Sequence, residues 1–116
     1  MSLRDRILNA DDIGKELLEI PMWNLTVEMR TMSALQRSRM LQTCQLPDGS
    51  VDLDRLYPML CIATVFDPES GEQVFTEDDI EAIADKSASA VEFVATRAME
   101  MSGMTAEAVD VEGKDS

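Results

Sequence analysis

Apolar residues are densest between Leu53 and Phe66, LDRLYPMLCIATVF, where from Met59 onward Thr64 alone is not apolar. A run of this kind is buried on nearly all sides. It is far shorter than the ~20 residues needed to cross a bilayer. Asp52 is placed to cap a helix, Asp54 falls in its first turn and Asp67-Pro68 stops it. This predicts a helix over about 53–66, irregular near Pro58. A buried strand is the alternative, because Tyr57, Ile62, Val65 and Phe66 suit a sheet. Leu60 and Phe66 are expected to be structural.

The flanking pattern changes period. Ser2 to Ala10 reads as a short helix with Ser2 as cap and Leu3, Ile7 and Leu8 on one face. A helix this short is marginal alone, so it docks or frays. Between residues 15 and 30 the spacing is two: Leu18 and Ile20, then Leu25, Val27 and Met29, with Thr26, Glu28 and Arg30 on the wet face. Pro21-Met22-Trp23-Asn24 supplies the turn of a β-hairpin. Trp23 is read as the staple that holds the hairpin to a helix. Ser33 with Gln36 forms a capping box for a helix to about Gln45, with Leu41 and Cys44 inward beside Ala34 or Leu35. Leu46-Pro47-Asp48-Gly49-Ser50 is a loop.

After the turn at Asp67–Gly71, Thr76 caps a helix over about 77–84, and Phe75 with Ile80 matches a hydrophobic staple across that cap. Ser87 caps a longer helix over about 88–102, buried through Val91, Val94 or Ala95, Ala98 and Met101 or Ser102, and ended by Gly103. Thr105 to Val109 can add a turn, and the residues from Asp110 on are expected to be mobile. The predicted class is mainly α (α+β). It is a small helical bundle over 1–104 with an N-terminal hairpin packed on it, followed by a mobile acidic tail over 105–116.

Charge narrows the function. The chain carries 10 basic and 23 acidic residues, a net −13. Residues 1–66 hold 7 Lys/Arg and 9 Asp/Glu, whereas 67–116 hold 3 and 14. That balance argues against a nucleic-acid phosphate backbone as partner. No histidine is present, which removes the usual neutral-pH base and imidazole ligands. Cys44 and Cys61 lie in apolar surroundings without a CxxC spacing and read as buried reduced thiols of a cytosolic protein. The opening Leu3-Arg4-Asp5-Arg6 is charged, unlike the apolar core of a signal peptide.

The acidic loop from Asp67 to Asp78 resembles an EF-hand at its first and third positions, Asp67 and Glu69. Its sixth position is Glu72 instead of glycine and its twelfth is Asp78 instead of Glu, so a turn followed by helix capping explains it better. Asp11-Asp12 and Asp78-Asp79 are adjacent acids that do not face one another, and Ser87 and Ser89 have no base. No phosphate-cradling glycine loop exists. Neither enzyme chemistry nor a cofactor or metal is expected. Met99, Met101 and Met104 cluster at the end of the last long helix. They either pack the core or, with Val91 and Ala95, present an adaptable apolar surface to a partner.

Taken in order, these pieces resemble the tail assembly chaperones of long-tailed phages with noncontractile tails. The resemblance runs over about residues 1–109. It is carried by SLRDRILNADDI, the Trp23 hairpin ending in VEMR, the helix from Ser33, the Leu56–Phe66 run, DPESGEQVFTEDDIEAI, KSASAVEFV and the closing MSGMT. It implies a non-catalytic protein of the host cytoplasm that binds the long helical tape measure protein and keeps it soluble until tail tube (major tail) subunits polymerise around it. Such a protein leaves before the virion is complete. It also implies a longer form made by programmed frameshift, and Gly113-Lys114 is encodable by the slippery run GGG-AAA. A homo-oligomer is possible, and neither a membrane nor nucleic acid is an expected partner. The competing classes are an acidic DNA mimic, whose charge should spread over one face, and a small connector subunit that stays in the virion.

Overall fold

The computed structural model describes residues 1–104. The expected Thr105–Val109 turn, the acidic tail and Gly113-Lys114 lie outside the described residues.

Lys15–Ile20 (β1) and Leu25–Arg30 (β2) form the antiparallel hairpin, with Leu18 opposite Val27 and Ile20 opposite Leu25. Their alternation buries Ile20, Val27 and Met29 and leaves Leu17 outside. Pro21–Trp23 makes one 3-10 turn, and Asn24 closes it at φ 53°. Asparagine enters that left-handed region more readily than most residues.

The apolar run becomes a helix over Leu53–Thr64, and its cap is Asp52, whose side chain accepts from the Asp54 N–H at 3.1 Å. Leu56 and Leu60 are fully buried. Pro58 stands inside this helix without breaking it. The helix stops two residues earlier than the run predicts. Val65–Phe66 (β3) leaves it in extended conformation and pairs with β2, Val65 opposite Met29 and Phe66 opposite Glu28. Among the described residues the sheet therefore has three strands in the order β1-β2-β3. Three local forces favour the switch. Val65 and Phe66 suit a strand, Asp67-Pro68 blocks further helix, and side chains occupy carbonyls of the last turn. The Thr64 hydroxyl donates to the Leu60 carbonyl at 2.6 Å and the Gln73 amide to that of Ile62 at 2.5 Å.

In chain order the helices are Leu3–Leu8 (α1), Ala34–Thr43 (α2), Leu53–Thr64 (α3), Ile80–Ala84 (α4) and Ala88–Met101 (α5). The expected capping box of α2 is present, with Ser33 Oγ accepting from Gln36 N–H at 3.2 Å and Gln36 Oε1 from Ser33 N–H at 2.9 Å. Its buried residues are Met40 and Leu41, followed by Cys44, while Ala34 and Leu35 are exposed. It ends at Thr43 because Gln45 already bridges to Val51. The helix expected over 77–84 begins as a 3-10 turn, Glu77–Asp79, with Asp79 Oδ2 accepting from Thr76 N–H at 2.9 Å. Phe75 and Ile80 pack on the core at either side of that cap. Ser87 precedes α5 but does not cap it through its side chain; its hydroxyl meets that of Ser89 at 3.0 Å.

α3 is the hub, packed against α2, α4 and α5, while α5 also touches β1 and β2. Ala90, Ala95 and Ala98 let α5 come close, with Val91 and Val94 filling between. Gly103, at φ 69°, ends α5 in a Schellman motif: Met104 N–H donates to Met99 O at 2.7 Å and Gly103 N–H to Glu100 O at 3.2 Å.

Candidate partner-binding surface

Phe75 is half-buried and forms a ridge between two surface grooves. On one side, α2, α3 and residues 73–77 enclose about 410 Å³. Its floor is Met40, Met59 and Ile62, with Ala63 between, and Gln36, Arg39 and Glu77 stand on its rim. On the other side, the hairpin tip and α4 enclose about 320 Å³ between Trp23, Leu25, Phe75, Ala82 and Ile83. Asp79 and Lys86 are its polar members. A third groove, about 450 Å³, lies between the start of α3 and the start of α5 and includes Tyr57, Pro58 and Val91. Volumes of this size fall at the low end of those that bind ligands. Their apolar floors and polar rims suit side chains of a docking polypeptide.

The residues singled out from sequence fall differently. Ala95 is 0% exposed, Met104 2% and Val91 7%. Met99 and Met101 are half-buried against the same core. The exposed-patch expectation is therefore corrected for Val91, Ala95 and Met104: they belong to the interior, although Val91 also reaches the wall of the third groove. The reason for Met104 is the Schellman turn, which folds the chain back over Met99 and Met101. Methionine also lines a groove through Met40 and Met59, which spacing assigns to no surface, but at 4% and 8% exposed they belong to the core as much as Val91 does. Trp23 is half-buried and lines the second groove. Leu60 is fully buried. Phe66 lies under the Arg30 guanidinium, 4.2 Å from its ring centroid. Arg30 in turn holds Glu28 at 2.5 Å and the Gly71 carbonyl at 3.2 Å, which ties β2 to the acidic turn.

A second charged cross-link joins α5 to β1. Arg97 on α5 donates to Glu16 on β1 through Nε at 2.6 Å and Nη2 at 2.5 Å, and to Glu100 through Nη1 at 3.1 Å. The Arg97 hydrogen bonds hold the Glu16 carboxyl below the usual glutamate range. Burial pushes Cys44 up to about 11 and Cys61 up to about 12, so both stay as thiols at neutral pH. Asp67 accepts from the N–H groups of Glu69 at 2.8 Å and Ser70 at 3.4 Å, and thereby closes its own turn.

A search against protein-family models finds no match, and no curated protein sequence matches the chain. A solved structure does. The fold is similar to that of the bacteriophage HK97 tail assembly chaperone. The likeness covers 88% of this chain and 95% of that one, with a TM-score of 0.63 at 15% sequence identity. Identity that low speaks to the fold: the helices and small sheet are arranged as in a phage tail assembly chaperone.

Proposed function

We propose that this protein is a phage tail assembly chaperone. It binds the tape measure protein in the host cytoplasm, keeps it soluble, helps bring tail tube subunits to it and is absent from the finished virion. The fold likeness over 88% of the chain carries this reading. The surface supports it. A long helical partner striped with apolar residues needs apolar contact, and the groove over the core methionines Met40 and Met59, walled by the half-buried Ala63 and Phe75, offers it. A soluble complex needs net charge, and residues 67–104 carry 2 Lys/Arg against 10 Asp/Glu. Glu77, Asp79 and Glu92 of that region line the grooves and the others lie on the Asp67–Glu72 turn and on helix surfaces, where they keep a coated chain dispersed.

The test is co-expression with the long helical product encoded downstream. That product should be soluble with this protein and insoluble without it. Ala63→Arg, which fills the methionine-floored groove from a half-buried position, should lower co-purification while leaving the circular dichroism unchanged. A downstream product that is equally soluble in the absence of this protein would sink the proposal. Mass spectrometry of purified particles tests the departure step, since a connector subunit would be found there.

A further inference from the structure

We propose that the two grooves on either side of Phe75 hold a single helical segment of the partner, one that carries a Lys or Arg between two apolar anchors. This rests on the reading that the protein binds a long helical polypeptide, and it names the chemistry of the bound stretch. Phe75 lines both grooves, so the two are neighbours across one half-buried ring. Each runs along helical surface. One stripe of α2 and one of α3 face the first, and Asp79, Ala82, Ile83 and Lys86 follow at helical spacing along the second. A helix is about 10–12 Å across with its side chains. Slots of about 410 and 320 Å³ therefore admit its projecting side chains and not its body.

Charge picks out this occupant. The chain as a whole stands at −13, yet the linings of these two grooves balance, with Arg39 and Glu77 in the first and Lys86 and Asp79 in the second. Among the described residues none of the four is in an ion pair. Asp79 accepts from Thr76 N–H through one oxygen and keeps the other. Both acids belong to the Glu77–Asp79 turn that follows Phe75. The bases come from farther away, Arg39 from α2 and Lys86, which also borders the third groove, from beyond the end of α4. A segment that crosses the ridge thus meets negative charge on both sides of Phe75 and positive charge towards its outer ends. A Lys or Arg at the crossing lays its stem on the Phe75 ring and brings its head to Glu77 and Asp79. On a helix, a base at i+3 or i+4 shares a face with apolar residues at i and i+7. Those two residues fill the grooves, and acids beyond them meet Arg39 and Lys86.

The test co-expresses the full chain with the long helical product encoded downstream, with the photo-crosslinker benzoylphenylalanine at Thr43 or at Ala82. These are exposed positions in the first and second groove. Both probes should mark one stretch of the product, at points within about 15 residues, which a helix covers in about 22 Å. That stretch should carry Lys or Arg between two apolar residues. Glu77→Lys should cut co-purification about fivefold at low salt and less at high salt. Asp78→Lys makes the same change in net charge at a residue that lines neither groove, and should leave co-purification at the wild-type level. Circular dichroism should match wild type for both. Crosslinks from one position only, to two distant stretches, to a stretch with an acid at the central place or to a second copy of this chain would overturn the proposal, even with the product's solubility still dependent on this protein. Equal losses in the two Lys variants would do the same, because net charge would then be the cause. A product equally soluble without this protein and marked from neither groove would remove the chaperone reading as well.

Discussion

Leu3, Ile7 and Leu8 at one end of the described chain and Met99, Met101 and Met104 at the other are apolar triplets at a helix or its end, and the fold treats them oppositely. The first three stand in water, while Met104 is 2% exposed and Met99 and Met101 lie against the core. The difference lies in the connection that leaves each helix. After α5, Gly103 takes a left-handed conformation and returns Met104 to the helix it has just left. After α1, Asp11-Asp12 leads the chain away through solvent before it joins the hairpin. An apolar face is therefore a statement about need, and the connection decides whether the chain itself meets it. At the C-terminal end the fold covers its methionines. At the N-terminal end the apolar face stays exposed.

The largest effect should separate core from arm. Leu60, fully buried at the centre of α3, should lose about 3 kcal/mol of unfolding free energy on change to Ala. Ile7→Ala should stay within about 0.5 kcal/mol in a dilute monomer. Urea unfolding measures both. A cost at Ile7 near that at Leu60 would mean α1 is packed in the monomer, and the comparison between the two ends would break.

The next effects sharpen the C-terminal side. Met104→Ser removes a buried side chain and places a hydroxyl among Met99 and the core, which should cost about 2 kcal/mol. Gly103→Ala has no steric neighbour within 4 Å, so its cost is the left-handed backbone alone, about 1 kcal/mol. If thermal unfolding shows Met104→Ser to be neutral, the methionine cluster is open to solvent after all and returns as a partner surface. If Gly103→Ala alone is neutral, the Schellman turn is not what buries Met104.

Much of this fold is legible from local rules. Alternation places the hairpin, Asp52 and Ser33 place the starts of α3 and α2, and Gly103 places the end of α5, because each signal acts within a few residues. β3 is only half legible: Val65 and Phe66 suit a strand and Asp67-Pro68 stops the helix, but they continue the apolar run and their partner is β2, 35 residues or more away. The candidate site is less legible still. Phe75 reads as a staple, and it is one of the residues beside that cap. That it also divides two grooves depends on where the hairpin tip and α2 come to rest, and no spacing along the chain encodes that. Likewise Met40 and Met59 are on different helices, and only packing brings them to one floor.

The smallest expected effect lies at the clasp that holds β1 to α5. Glu16 and Arg97 are partly exposed, so solvent and salt screen their pair. Its sign is nevertheless fixed. The folded protein holds the Glu16 carboxyl below its ordinary range, so folding favours the charged form. The resulting stability is complete above the unfolded glutamate value, about pH 4.3, and is lost as pH falls through the lower folded value. Glu16→Gln should therefore unfold slightly earlier than wild type at pH 7, and the gap should shrink as pH is lowered below about 4.3. The gap at pH 7 should narrow in 1 M salt. A gap that does not shrink with falling pH or with salt would mean that Glu16 matters through packing of its stem, and that the clasp between hairpin and helix is not electrostatic.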